Sequence, residues 1–229
     1  MNQRPHVLLS CAMSIDGYID DSTPARLLLS NDADFDRVDA VRADSDAILV
    51  GADTIRRDNP RLMVRSDHRR QQRMRAGRPA TPIKVTLTRT GDLNPNAKFF
   101  ATGVVSKLVY AASPTVAELA HTLGDTATVV DAGKPTNLSL VLADLATRGV
   151  RRLMVEGGGQ IHTQFLTAGL ADELHLVVAP FFVGDSTAPR FVADGNYPFT
   201  SDHRMKLINV EPIDDVVMLH YQLSNAANG

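Results

Sequence analysis

The run RRLMVEGGGQIHTQFL, from Arg151 to Leu166, constrains this chain more than any other stretch. An apolar burst, Leu153-Met154-Val155, passes through Glu156 into Gly157, Gly158 and Gly159, and then into residues whose apolar positions, Ile161, Phe165 and Leu166, suit a helix. Strand, glycine turn and helix in that order bring bare N–H groups and a helix N-terminus up to a phosphate. Glycine admits positive φ and lets a ligand approach without meeting a Cβ. The same pattern also serves as a tight β-to-α turn with no ligand at all. The regular dinucleotide fingerprint does not close here. Its third glycine would fall at His162, and no acidic residue follows at the customary distance of about 20 residues.

At 229 residues the chain fits one large domain or two small ones; size favours one, expected to span 1–229 with a motif-bearing core over about 6–184 and a hairpin over about 204–223. A hydrophobic share of 44% against 22% charge gives ample material for a core. The net charge of −2 predicts no general attraction to nucleic acid or to an anionic membrane. The lone cysteine, Cys11, excludes an internal disulfide, suits a reducing cytoplasm and reads as a small buried residue rather than a nucleophile. The N-terminal apolar run is too short for a secretion signal, and no stretch is long enough to span a bilayer. A soluble cytoplasmic protein is expected.

The pattern along the chain alternates strands and helices. Val7 to Met13 is an apolar run of strand length ending at the turn pair Asp16-Gly17, with a loop through Pro24 after it. Ser30 or Asn31 can cap a helix that opens with Asp32, Asp34 and Asp36 and buries Phe35, Val38 and Val41. Asp46 to Val50 is a second strand; Gly51 opens a short helix carrying Thr54, Arg56, Arg57 and Asp58, which Asn59-Pro60 stops. Arg65, Arg69, Arg70, Arg73, Arg75 and Arg78 crowd the next segment with no aromatic residues between them, so it reads as a solvated loop rather than a nucleic-acid surface. Further strands are expected at Ile83–Leu87, Lys107–Ala112, Thr128–Asp131 and Glu173–Pro180, and helices at Thr115–Leu123 and Leu138–Arg148, the latter closed by Gly149. Met205 to Leu223 reads as an antiparallel hairpin at a sheet edge. The fold class is therefore α/β: a single three-layer domain, a mostly parallel sheet with helices on both faces, and a C-terminal antiparallel hairpin.

One cysteine and seven scattered histidines give no metal-ligand spacing, so no metal is expected, and His121, His162 and His175 read as core-edge or surface residues. No serine-nucleophile elbow is present. The loops at the carboxyl ends of the first strands, where parallel sheets bind ligands, bear Asp16, Thr54, Asp58 and Arg65. These residues fit a nucleotide-dependent enzyme without naming its reaction.

Four segments together name one. AMSIDGYI at 12–19, SDAILVGADTIRRDNPRLMVR at 45–65, VEGGGQIHTQFL at 155–166 and ELHLVVAPFFVG at 173–184 resemble the pyrimidine reductases of riboflavin biosynthesis, in that family's order and close to its spacing. The resemblance implies a dihydrofolate-reductase-like fold, a homodimer and NADPH. The implied reaction reduces the ribosylamino group of a pyrimidine 5′-phosphate to ribitylamino: the ribose opens to an imine, and hydride from the nicotinamide C4 reaches C1′. By position, the resemblance has Ala12 meeting the cofactor through its backbone and Thr54 and Asp58 beside the nicotinamide and its ribose. It has the turn from Gly157, Gly158 and Gly159 through Gln160 and Ile161 toward Gln164 holding the pyrophosphate. Arg42, Leu62, Arg65 and Glu156 face the substrate, with the two arginines on its phosphate, and Arg89 meets the 2′-phosphate of NADPH. Asp58 and Glu156 are the catalytic candidates, Asp58 as the polar group that assists proton transfer beside the ribose. The same residues have plainer readings: Asp58 as a turn cap, Arg42 as a solvated helix residue, Glu156 as a brace for the glycine loop.

The chain departs from the bifunctional bacterial members at three places. Ser10 stands where they often carry Lys, Leu28 where they carry Trp, and Arg26 where a Ser contacts substrate. The substrate is either the 2,5-diamino pyrimidinone or its deaminated uracil form; a chain with no deaminase domain leans to the diamino form. Two other readings stay open, a reductase of another heterocycle and a non-catalytic nucleotide-binding protein using the basic segment at 65–78. The apolar 174–183 strand is the expected dimer surface.

Overall fold

A computed structural model describes residues 4–23, 25 and 27–223; Pro24 and Arg26 lie outside the described residues, and with Arg26 the departure noted there. The fold is α/β, its strands mostly parallel and its C-terminal pair antiparallel. By its contacts the chain divides into two compact units. One comprises Met1–Pro5 with Asp39–Met154, the other His6–Val38 with Val155–Gly229.

In the first unit the strands stand in the order β5 (Thr128–Asp131), β4 (Lys107–Ala111), β3 (Ile83–Thr88), β2 (Ala47–Gly51) and β6 (Arg152–Val155). The β2–β3, β3–β4 and β4–β5 pairs are parallel, with Gly51 opposite Leu87 and Thr88 opposite Ala111. All five residues of β2 are buried, which is what a continuous AILVG run with no polar alternation predicts. Ile48 and Val50 pack with Val109 and Ala111 from β4, Ile55 from α2 (Ala52–Asp58), and Phe99 and Phe100 from α4 (Lys98–Ala101). Leu119 and Leu123 close that cluster from α5 (Val116–Leu123), which a 3-10 turn at Ser113–Thr115 introduces. Asn137 caps α6 (Leu138–Thr147), its side chain accepting from the Ser139 and Leu140 N–H groups, and Gly149 follows at φ 82°. The short helix α4 carries no capping side chain and no sequence signal beyond its two phenylalanines.

In the second unit β1 (His6–Ser14) lies beside β7 (Glu173–Ala179), then β9 (Val216–Gln222), then β8 (Lys206–Ile213) at the edge. β1 and β7 are parallel, with Leu8 opposite Glu173; β7–β9 and β8–β9 are antiparallel. The hairpin turns at Asp214, at φ 53°, one of the few residue types that take this conformation readily. Asn31 is the cap of α1 (Asp32–Asp44): its Oδ1 accepts the Asp34 N–H at 2.9 Å, while its Nδ2 donates to the Ile213 carbonyl and ties the helix start to the hairpin. Leu29, Val177, Ala179, Ile213, Val216 and Met218 form this unit's own cluster.

One sequence expectation needs correction. The arginine-rich segment is not a solvated loop. Asp67–Arg75 is helix α3, capped by Ser66, whose side chain accepts the Arg69 N–H. Its guanidinium groups finish the C-terminus of α1. Arg73 donates to the carbonyls of Ala43, Ser45 and Pro79, and Arg78 to those of Asp44 and Ser45. Arg73 is buried in this role, and desolvation together with the neighbouring Arg78 charge pulls it down to about 10. Helix ends leave carbonyls without intrahelical partners, and these arginines supply the donors. Within 174–183, Leu174, Leu176, Val177 and Ala179 are buried within the fold while Phe182 is exposed, and further exposed apolar residues lie on β8, at Leu207, Ile208 and Val210.

Candidate active site

In the second unit the glycine turn is held against one segment. Gly157 takes φ 113°, its peptide bond to Gly158 is cis, and Gly158 caps α7 (Gly159–Thr167) without any side-chain hydrogen bond. The Ile161 and His162 N–H groups both turn to the Gly158 carbonyl. A Cβ on Gly159 would lie inside the van der Waals surface of the Arg190 carbonyl oxygen, and one on Gly157 would stand 3.2 Å from the His162 ring. The segment carrying Arg190 is itself fastened down. The Phe191 N–H donates to the Gly17 carbonyl, the Ala193 N–H to the Thr163 hydroxyl, and Arg190 Nη2 to the Tyr18 hydroxyl at 2.8 Å.

His162, buried under this turn, was readable in the sequence only as a histidine of no special spacing. Among the described residues no group reaches hydrogen-bonding geometry with either ring nitrogen. Burial pushes the imidazole down to about 4, and the carbonyls of Val155 and Phe191 only partly oppose this, so it is a neutral packing element. Glu156 is half-buried at the mouth of the turn, Gln160 is exposed and Ile161 buried, so Ile161 can offer a ligand only its backbone. Ala12 packs its methyl against the second unit's apolar cluster and likewise has only backbone to give. Asp16 fixes the turn after β1: it accepts from the Ser14 hydroxyl and from the Val183 and Gly184 N–H groups. Desolvation tends to raise its carboxyl, but those hydrogen bonds together hold it below the usual range. Cys11 is only partly exposed, and enclosure pushes its thiol up to about 12, which leaves no thiolate for chemistry.

The first unit gathers the remaining candidates. Thr54 and Asp58 are four residues apart on α2, hence on one face, with Ala52 and Ile55 buried behind them. The loop after β3 carries exposed Arg89 beside this helix, joined to it through Arg56, which donates to the Asp92 carbonyl at 2.6 Å. Beyond α2, Asn59 and Leu62 both take left-handed φ, at 44° and 48°, unusual for residues with a side chain. The Leu62 side chain is buried in the apolar cluster, leaving its backbone as the part able to meet a ligand. Arg42, in the last turn of α1, donates to the Met63 carbonyl, and buried Asp39 one turn earlier accepts the Arg65 and Ser66 N–H groups and the Arg69 guanidinium. Arg42, Leu62 and Arg65 are thereby brought onto one short stretch, following directly on the helix that bears Thr54 and Asp58.

A helix start led in by glycine, with no side-chain cap, defines an α/β protein suited to a phosphorylated cofactor. The chain belongs to the RibD C-terminal domain family, which matches residues 5–219. It is similar to the 2,5-diamino-6-ribosylamino-4(3H)-pyrimidinone 5′-phosphate reductase of Archaeoglobus fulgidus, with 34% identity over 193 residues covering 84% of this chain and 87% of that one. The reductase of the same name from Methanothermobacter thermautotrophicus is 35% identical over 196 residues, covering 84% and 85%. Among solved structures, a pyrimidine reductase-like protein from Corynebacterium diphtheriae superposes with a TM-score of 0.81 at 25% identity, over 96% of this chain and 92% of that one. The dihydrofolate-reductase-like α/β class expected from the sequence is the fold of these neighbours.

Proposed function

We propose that this protein is the NADPH-dependent reductase of a phosphorylated ribosylaminopyrimidine in riboflavin biosynthesis, and that its substrate is the 2,5-diamino form. The observation that carries the reading is the N-terminus of α7. It carries no side-chain cap, and it lies directly behind Glu156 in a RibD-type chain. The names of the two archaeal relatives favour the diamino substrate. Residues 1–229 act as one reductase.

NADPH supplies the hydride, and the protein supplies position. Backbone groups of Gly157, Gly158, Gly159, Gln160 and Ile161 receive the pyrophosphate, and Ala12 adds a backbone contact. The residues present suit such a group, because the N-terminus of α7 has no side-chain cap and a helix N-terminus attracts a phosphate. The exposed Arg89 guanidinium meets the 2′-phosphate. Thr54 and Asp58, sharing a helix face, orient the nicotinamide ribose. Arg42 and Arg65 take the substrate phosphate, Leu62 lines its path, and Asp58 and Glu156 hold or pass protons near the opening ribose. The protein works in the cytoplasm as a homodimer, a second copy covering the apolar residues that β8 exposes.

The test offers the purified protein NADPH with the diamino pyrimidinone phosphate and, in parallel, with the deaminated uracil phosphate. Oxidation with the diamino form alone is expected, and oxidation with the uracil form alone reverses the substrate assignment. Silence with both, while NADPH still raises the melting temperature, assigns the same fold to another heterocycle. Silence with no binding of NADPH removes the reading altogether.

A further inference from the structure

Glu173, His175 and His220 have no metal-ligand spacing in the sequence, yet the strand register gathers them. His175 on β7 stands directly opposite His220 on β9, and Glu173 lies two residues back on the same face of β7. The two rings meet edge to face with centroids 4.5 Å apart, and one ligand atom from each of the three side chains lies within 4.8 Å of the others. Glu173 Oε2 is 3.6 Å from His220 Nε2 and 4.0 Å from His175 Nε2. Both separations are too long for hydrogen bonds. They are a few tenths of an ångström beyond the roughly 3.4 Å between two ligands that share a tetrahedral zinc at bond lengths of about 2.0–2.2 Å.

The surroundings brace this arrangement. His6 Nε2 holds the other carboxylate oxygen of Glu173 at 3.0 Å, so that Oε2 faces the two imidazoles. Outer contacts of this kind orient metal ligands. His220 Nε2 is buried with no hydrogen-bond partner among the described residues. On the far side of His175, Arg37 Nη1 stands 3.3 Å from Nδ1, and Arg37 is itself paired with Asp34 at 2.7 Å. The three side chains keep between 12% and 23% of their surface, enough for a hydrated cation to enter.

We propose that Glu173, His175 and His220 form a binding site for a divalent transition metal of the zinc class, which clamps β9 to β7. Two imidazoles and a carboxylate are a donor set such ions accept, with a remaining position for water. Arg37 works against the ion. A ring metallated at Nε2 carries its proton on Nδ1, where the Arg37 N–H now points, so Arg37 must turn away toward Asp34 when the metal binds. Replacing Arg37 with Gln, whose amide oxygen can accept that proton, therefore tightens the site.

The test uses the full-length chain, free of any affinity tag and stripped of metal. Co²⁺ is titrated while its visible absorption is followed, and Zn²⁺ is titrated by calorimetry. The expected result is one ion per chain and a melting temperature raised by a few degrees, as binding to the folded state alone requires. Affinity should fall at least tenfold in Glu173→Gln and in His220→Phe, which keeps the ring volume, and rise several-fold in Arg37→Gln. Absence of stoichiometric cobalt absorption in the parent protein overturns the proposal, as does equal affinity in parent, Glu173→Gln and His220→Phe. Should either variant fail to fold, protection of His220 from diethyl pyrocarbonate by Zn²⁺ in the parent decides the matter, and an unprotected His220 sinks it.

Discussion

The Cα of Gly159 faces the carbonyl oxygen of Arg190 so closely that no side chain fits between them. Gly159→Ala must therefore push the 190–193 segment off α7. A loss of about 1–3 kcal/mol in stability is expected from the overpacking, and NADPH affinity should drop by about tenfold or more, the equivalent of ~1.4 kcal/mol. Thermal melting with and without NADPH measures both. An alanine variant with unchanged cofactor affinity would show that the turn takes no part in binding.

Asp58 is exposed at the end of α2, and Glu156 is half-buried at the turn. Neither belongs to an apolar cluster, so Asp58→Ala should change stability by no more than about 0.5 kcal/mol. Both alanine variants should lose about 10²-fold or more in turnover if these groups handle protons near the ribose. Steady-state NADPH oxidation is the measurement. Near-normal rates in both variants would return them to their plainer roles as turn cap and loop brace.

Asp39 is a buried carboxylate with two backbone donors and a guanidinium on it. Asp39→Ala leaves the Arg65 and Ser66 N–H groups and the Arg69 charge without their acceptor, and should cost about 3 kcal/mol. In urea the midpoint should fall with little change in slope. Because Arg65 is carried on the same stretch, KM for the phosphorylated substrate should rise as well.

Lys84 is fully buried, its ammonium donating to the carbonyls of Phe99 and Thr102. Desolvation, with the nearby Lys107 charge, pulls it from 10.5 down to about 8. Between those two values the unfolded chain binds more protons than the folded one, so stability rises with pH across that window. Lys84→Met lacks this gain. Denaturant titrations of both proteins at the two ends of the window should show the parent improving relative to the variant, and parallel curves would contradict the burial of a charged amine there.

The proposed homodimer would place β8 at its interface. Leu207→Lys combined with Val210→Lys places two charges on its exposed apolar residues and should convert the sedimenting species to monomer. A dimer that persists through the double change uses another surface.

The sequence announced what depended on near neighbours. Asn31 caps α1 through the residue three positions on, Asp214 turns the hairpin by its own conformation, and the glycines mark the start of α7. What it concealed was decided by partners far along the chain. The arginines at 65–78 looked solvated because the carbonyls they satisfy, at Ala43 to Ser45, lie some thirty residues away. Glu173, His175 and His220 formed no motif because their meeting depends on the β7–β9 register, and no linear spacing encodes that. Leu62 read as a substrate contact; its side chain is in the apolar cluster, a placement set by distant partners, which leaves its backbone for such a contact.

The pairing of Leu8 with Glu173 also sets an order of events during synthesis. β1 leaves the ribosome ahead of its parallel neighbour β7, which follows only after the whole 39–154 stretch has been made. That intervening stretch is contiguous and can gather its own strands β2 to β5 while β1 waits with an apolar edge uncovered. Contacts this distant in sequence form slowly. The nascent chain is therefore open to aggregation at β1, and that exposure ends when β7 arrives.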